Sequence, residues 1–229
     1  MDRARGKQTF ADDFFIESLD GAQRHLGEVE KHTADTPLAI ALKQPWELEQ
    51  IQFHPVVFDD DSGQFRLYYS AWIQGQQLIC ALVSDDGFTW SRPSLGLVEW
   101  AGSKHNNITN CPRGGLVCFR DPQTTDASRR WRRIDNKPTG TSATGETEWR
   151  AYHSADGYDW HLEPAGTHSA QGMLFNFGSP PETFGGVIDP EARFIYYSQR
   201  GSGRRTRVLG RRDSADGLNW SGLRTVIDQ

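Results

Sequence analysis

Short runs of apolar and aromatic residues recur along the chain, separated by turns rich in Gly, Asp and Ser. The first set of runs covers residues 56–59, 64–70 and 78–83, each with the length and the β-branched or aromatic content of a strand. No stretch carries the apolar stripe of a long amphipathic helix, although residues 12–26 could form a helical turn or two. The pattern therefore predicts an all-β protein built from hairpins.

One phrase, S-x-D-G-x-x-W, follows the third run of each set. Its copies are residues 84–90, 154–160 and 214–220, which places their tryptophans 70 and then 60 residues apart. Asp-Gly supplies the positive φ of a tight hairpin turn, and Ser and Asp side chains can hydrogen-bond nearby backbone amides. The spacing favours a repeated four-stranded sheet over a helical repeat.

Each phrase closes a meander of four antiparallel strands, which is the blade of a β-propeller. We predict three blades, at about residues 46–105, 106–175 and 180–226, after an N-terminal arm at residues 1–45. Propellers close with about four to eight blades. The expected fold is therefore a partial propeller, completed by the arm, by further chain, or by association through its open strand edges.

Composition excludes several classes of function. A net charge of −5 over 229 residues does not favour a nucleic-acid partner or an anionic membrane surface. No apolar run is long enough to span a membrane, and the first residues lack a signal-peptide core, so we expect a cytoplasmic protein. The seven histidines show no metal-ligand spacing, and no P-loop or dinucleotide-binding glycine pattern occurs. We therefore expect neither a metal nor a cofactor.

A family resemblance rests on three parts of the chain. Residues 84–108 resemble the S-x-D-G-x-x-W-x-x-P-x-L-G-L-x-x-x-x-G-S-x-x-N-N-I run of a group of bacterial proteins related to the five-bladed propellers of glycoside hydrolase families 43 and 32. Residues 10–17 and 45–47 resemble that group's F-x-D-D-x-x-I-E and P-W-E segments, and the third blade matches its pattern. The resemblance implies a five-bladed ring, an axial pocket, and an oligosaccharide or glycoside whose glycosidic bond is hydrolysed.

Hydrolysis of a glycosidic bond needs one carboxyl group as acid and another as base or nucleophile. Glu47 and Glu182 each precede an innermost strand, where a side chain can face the ring axis, and related enzymes carry an Asp near the position of Asp13. We therefore expect Glu47, Glu182 and Asp13 to be catalytic. The candidate substrate-binding residues near the same strand openings are Trp46, His54, Asn106 and Asn107.

Each candidate also has a structural interpretation. Glu47 can simply pair with an arginine, Asn106 and Asn107 can form a turn, and His54 can be a satisfied strand residue. Non-catalytic binding of a glycan or a protein, or an inactive fragment, remains the alternative function.

The run Arg120-Asp121-Pro122 resembles the Arg-Asp-Pro motif of family 32, in which the Asp binds sugar hydroxyls. The internal repeat, however, aligns Asp121 with the Asp that follows the first strand of the other two blades. Asp and Pro are ordinary turn residues there. We favour a turn role for Asp121 and keep contact with the substrate as its alternative.

Overall fold

The computed structural model describes residues 20, 21, 28, 44–111, 117–121, 123–138, 147–163, 182–189, 193–201, 207–221 and 224–227. The chain divides into two compact units, Met1–Thr36 and Pro37–Gln229. The strands and sheets given below all belong to the second unit. None of the described helices is long and apolar enough to cross a membrane.

Three antiparallel sheets make up the described part of the second unit, which confirms the all-β prediction. Sheet 1 follows a 3-10 helix at Pro45–Glu47 and contains β1 Gln50–Asp59, β2 Gln64–Ile73 and β3 Gln76–Ser84. Sheet 2 contains β4 Val117–Arg120, β5 Trp131–Pro138, β6 Thr147–Ser154 and β7 His161–Leu162. Sheet 3 contains β8 Glu182–Asp189, β9 Arg193–Gly201, β10 Arg207–Ser214 and β11 Arg224–Ile227.

Within each sheet the neighbouring strands are also neighbours in sequence, as a meander requires. The first strands of the sheets approach one another, since β4 lies against both β1 and β8. This arrangement of successive meanders, with their first strands adjacent, is the arrangement of propeller blades.

The three S-x-D-G turns have the same hydrogen bonds. The hydroxyls of Ser84, Ser154 and Ser214 accept from the backbone amide of the motif glycine, at 2.8, 2.9 and 2.8 Å. The Oδ1 atom of the motif Asp accepts from the amides two and three residues further on, over 2.7–2.9 Å in every copy. The three glycines have φ values of +76°, +79° and +72°. The predicted equivalence of these turns is confirmed.

Sheets 1 and 2 pack face to face through aromatic and small side chains. Trp160 belongs to this core and is 5% exposed. The other buried members of the cluster are Tyr68, Ile79, Ala81, Cys118, Trp131 and Tyr152. The motif tryptophan of the second blade is therefore core, as its sequence position suggests.

Arg66 links sheet 1 to the second S-x-D-G turn. Its guanidinium lies 4.5 Å from the ring centroids of both Trp131 and Tyr158, which is cation–π distance on two sides. The same group donates to the Asp156 carbonyl and forms an ion pair with Asp59 at 2.5 Å. The turn of one blade is thus held by the middle strand of the preceding blade.

The loop after the first S-x-D-G turn returns to the outer strand of sheet 1. The Ala81 amide donates to the Asn107 carbonyl at 3.0 Å, and the Thr109 amide donates to the Ile79 carbonyl at 2.8 Å. Asn107 therefore lies beside β3, whereas we expected it to open the innermost strand of the second blade. The sequence did not reveal this position because the loop pairs with β3 only through an isolated bridge between Cys80 and Ile108. Such a bridge lacks the alternating apolar and polar pattern by which a strand is recognised in sequence.

Candidate functional site

A cavity of about 220 Å³ lies on the face of sheet 1 that carries the 3-10 helix. Its walls combine an indole, a guanidinium, a hydroxyl, an imidazole, a proline ring and three side chains with amide groups. They come from the 3-10 helix with the residue before it and from the loop after the first S-x-D-G turn, namely Gln44, Trp46, Arg92, Pro93, Ser94, His105, Asn106 and Asn107. Three of the predicted substrate-binding residues therefore share one cavity, and the other five lining residues were not predicted.

Glu47 lies behind the wall of this cavity, with its side chain fully buried. Arg92 forms a forked pair with it, from Nε to Oε1 at 2.9 Å and from Nη2 to Oε2 at 2.8 Å. The Tyr69 hydroxyl also donates to Oε1, and the Gln44 amide donates to Oε2 at 2.9 Å. Because both oxygens are engaged, Glu47 holds Arg92 in place, which is the arginine pairing named as its structural interpretation.

Asn107 connects the cavity to the sheet. Its Nδ2 atom donates to the Tyr69 hydroxyl at 3.0 Å and to the Ala81 carbonyl at 2.7 Å. Its Oδ1 atom is buried and has no hydrogen-bond partner among the described residues, and the same holds for Nε1 of Trp46. Two lining residues of the cavity thus carry one buried donor and one buried acceptor that the described protein groups do not satisfy.

The loop wall is braced by short polar contacts. Nδ1 of His105 lies 2.9 Å from the Ser94 hydroxyl. The Asn106 side chain donates to the Val98 carbonyl at 2.8 Å, and its Oδ1 atom accepts from the Ile108 amide at 3.0 Å. These contacts fix the two asparagines as part of a loop, and they leave the Ser94–His105 pair at the exposed rim.

His54 is not among the lining residues of the cavity. It lies in β1, with Nε2 2.7 Å from the Ser70 hydroxyl, between the two packed sheets. Burial and, to a smaller extent, the positive charge of Arg133 together lower the pKa of His54 to about 4. The imidazole is therefore neutral near neutral pH and is a hydrogen-bonded strand residue.

Asp121 is buried in the turn after β4 and is likewise absent from the cavity lining. Its amide donates to the Arg130 carbonyl at 2.8 Å, and its Oδ1 atom accepts from the Gln123 amide at 3.1 Å. The preceding residue, Arg120, reaches back to Asp59 of sheet 1 with an Nε to Oδ1 distance of 2.9 Å. In this sequence motif, Asp121 therefore stabilises a turn, and Arg120 forms a contact between two blades.

The side chains of the remaining catalytic candidates, Glu182 and Asp13, are outside the described part of the structure, so their catalytic roles stay predictions. Glu182 begins β8 in sheet 3, and the whole of Asp13 lies outside the described residues. Among the described residues, no group of three or more His, Cys, Asp or Glu side chains could hold a metal ion.

The lining residues that the sequence analysis does not predict are Gln44 and, in the loop after the first S-x-D-G turn, Arg92, Pro93, Ser94 and His105. The predicted candidates lie near the openings of innermost strands, whereas four of these five residues belong to a long loop. The sequence does carry a signal for the four loop residues, because they lie within residues 84–108, the run that carries the family resemblance.

Comparisons with known proteins found no matching family model and no matching curated protein. Similar solved structures include one from the GH130 family, which is described as containing glycoside hydrolases that target β-1,2 mannosidic linkages in Candida mannan. It is 14% identical, the match covers 76% of this chain and 52% of that one, and the TM-score is 0.44.

A glycosyl hydrolase from Bacteroides ovatus is 16% identical over 73% of this chain and 49% of that one, with a TM-score of 0.42. An α-L-arabinofuranosidase from Fusarium graminearum is 14% identical over 76% of this chain and 47% of that one, with a TM-score of 0.44. The chain spans about half the length of these solved structures. A likeness at this level assigns neither a family nor a reaction to this chain.

Proposed function

We propose that this protein is a carbohydrate-active propeller and that its cavity beside sheet 1 binds one sugar unit. The observation that carries the proposal is the pair of unsatisfied groups in the wall, the Trp46 indole N–H and the Asn107 amide oxygen. A buried polar group without a partner costs about 1–3 kcal/mol. A sugar hydroxyl can accept from an indole N–H and donate to an amide oxygen, so the hydroxyl groups of a sugar suit both partners.

The size and the charge of the cavity support the same ligand class. Its volume of about 220 Å³ is below the roughly 300–1,000 Å³ of sites for drug-sized ligands, which suits a single ring. The wall offers several uncharged hydrogen-bonding groups, and the positive charge of Arg92 is paired with Glu47. A small polyhydroxylated molecule matches such a surface.

We propose in addition that the protein hydrolyses a glycosidic bond, and this step rests on the family resemblance. It requires two carboxyl groups, one of which must be free to carry a proton to the leaving oxygen. Glu47 is engaged through both oxygens, which favours binding over hydrolysis at this particular cavity. We therefore assign the hydrolytic step to Glu182 and Asp13.

Trp46→Phe tests the binding site because it removes the indole N–H and keeps an aromatic ring. Loss of one hydrogen bond should weaken the affinity for a monosaccharide about five- to tenfold. Trp100→Phe is the matched control, since Trp100 packs against the same apolar cluster and is not a lining residue. Calorimetric titration with methyl glycosides measures the affinity of wild type and of the two variants. Equal affinities for wild type and Trp46→Phe would contradict the proposed site.

Glu182→Gln tests the hydrolytic step in a screen of aryl glycosides and oligosaccharides. If Glu182 supplies general acid–base help, kcat should fall by about a hundredfold or more while the circular dichroism spectrum stays that of wild type. Asp121→Asn is the comparison, and it should alter stability more than rate because Asp121 lies in a turn. An inactive Asp121→Asn beside an active Glu182→Gln would instead assign the chemistry to the Arg-Asp-Pro motif.

A further inference from the structure

The ion pair between Glu47 and Arg92 decides the charge of the cavity. Arg92 lines the cavity and its side chain is 21% exposed, whereas the Glu47 side chain behind it is fully buried. The two groups share a forked pair with distances of 2.9 and 2.8 Å. Such a pair occupies one of the two edges through which a guanidinium binds a carboxylate, and it neutralises the positive charge.

Glu47 is also held independently of Arg92. The Tyr69 hydroxyl and the Gln44 amide both donate to its carboxylate, so its position is fixed by the sheet and by the 3-10 helix. Besides Arg92, the only titratable side chain among the lining residues that the structure describes is His105, at the exposed rim. The cavity is therefore close to electrically neutral because Glu47 is present.

We propose that Glu47 is a specificity-determining residue that makes this cavity select an uncharged sugar unit over the corresponding uronic acid. The proposal rests on the sugar-binding function proposed above and adds the charge class of the ligand. Glu47 acts through Arg92 and does not itself touch the ligand, so it is a positioning residue.

The physical reason is competition for one guanidinium. A uronate carboxylate could pair with Arg92 by sharing the guanidinium with Glu47, which places two negative charges beside one positive charge, or by displacing Glu47. The displaced Glu47 would then be a buried carboxylate without its counter-ion, which is strongly unfavourable. A neutral hydroxymethyl group meets no such penalty, because it leaves the Glu47–Arg92 pair intact.

Glu47→Gln is the decisive variant, since glutamine keeps the shape of the side chain and removes the charge that neutralises Arg92. We expect the ratio of affinities for methyl glucuronide and methyl glucoside, and for the galacturonide and galactoside pair, to shift at least about tenfold toward the uronate. The gain should shrink as salt is added, because charge pairs near a surface are screened. A purely structural role for Glu47 would weaken both sugars together and would leave the ratio unchanged.

Two further variants serve as controls. Glu99→Gln makes the same chemical change at an exposed residue that does not line the cavity, and its ratio should equal that of wild type. The double variant Glu47→Gln/Arg92→Gln has no charge at the pair, and the gain for uronates should disappear. An unchanged ratio in folded Glu47→Gln would overturn the proposal, as would a wild-type protein that already prefers the uronate.

Titration with sodium acetate separates this inference from the sugar-binding function. Acetate carries the carboxylate alone, so Glu47→Gln should bind it at least about tenfold more tightly than wild type and the double variant, as followed by the Trp46 indole NMR signal. If wild type binds no sugar but Glu47→Gln gains acetate binding, the proposed function fails and the role of Glu47 stands. If the sugars bind and acetate binding does not change, the role of Glu47 is wrong and the sugar site stands.

Discussion

Replacing Gly157 with alanine is expected to lower the free energy of unfolding by roughly 2–5 kcal/mol. Two penalties add up at this position. Gly157 has a φ of +79°, a left-handed conformation that costs an alanine roughly 1–2 kcal/mol. A Cβ atom would also lie 2.8 Å from Arg66 Nη1, 2.8 Å from the Tyr68 hydroxyl and 2.9 Å from Trp131 Cδ2, which forces the packed interface between sheets 1 and 2 to shift.

Gly87→Ala is the matched control, because it makes the same change in the same motif. Gly87 has a φ of +76°, so the conformational penalty is the same. An added Cβ atom there would meet only the Phe65 ring, at 3.7 Å, which is ordinary van der Waals contact. The difference between the two variants therefore isolates the contact between blades, expected at about 1–3 kcal/mol.

Urea unfolding of the two variants and wild type, followed by tryptophan fluorescence, gives the three free energies. Gly157→Ala should show a clearly lower midpoint than Gly87→Ala. Equal losses in the two variants would mean that Arg66 and Tyr68 do not press against the second S-x-D-G turn in solution.

The S-x-D-G turns could be predicted from sequence because all of their chemistry is local. Each Ser and Asp side chain reaches amides no more than three residues away, and the glycine alone accounts for the positive φ. Most of the longer strands were predictable for the same reason, since they carry their own β-branched and aromatic residues, whereas the two-residue β7 carries none. Their order within each sheet then followed from the short connections of a meander.

The cavity could not be predicted in the same way because its contacts join distant residues. Glu47 meets Arg92 and Tyr69, and Asn107 meets Ala81, across irregular chain that has no periodic pattern. The sequence placed Trp46, Asn106 and Asn107 among the binding candidates, and the structure brings these three to one cavity. The sequence does not show that Glu47 lies behind the lining residues of the cavity and is not itself one of them. Its position depends on which arginine pairs with its carboxylate, and that arginine, Arg92, is distant in sequence.

Acidification is expected to destabilise the protein through His54. The pKa of His54 is lowered from 6.5 to about 4, first by burial and then by the charge of Arg133, so the folded protein resists protonation of this side chain more than the unfolded chain does. Stability that depends on neutral His54 is therefore complete above the unfolded pKa of 6.5, declines as the pH falls, and is lost below about 4. Between about pH 7 and about pH 4.5 this difference amounts to roughly 2 kcal/mol.

His54→Gln should remove this part of the pH dependence, because glutamine does not titrate and can still hydrogen-bond the Ser70 hydroxyl. His105→Gln is the control, since His105 is exposed in a loop and the protein should keep the pH dependence of wild type. Urea midpoints measured from about pH 7 to about pH 4.5 for the three proteins provide the test. If His54→Gln loses as much stability over this range as wild type, protonation of His54 is not what opposes folding in acid, and other groups must carry the acid sensitivity.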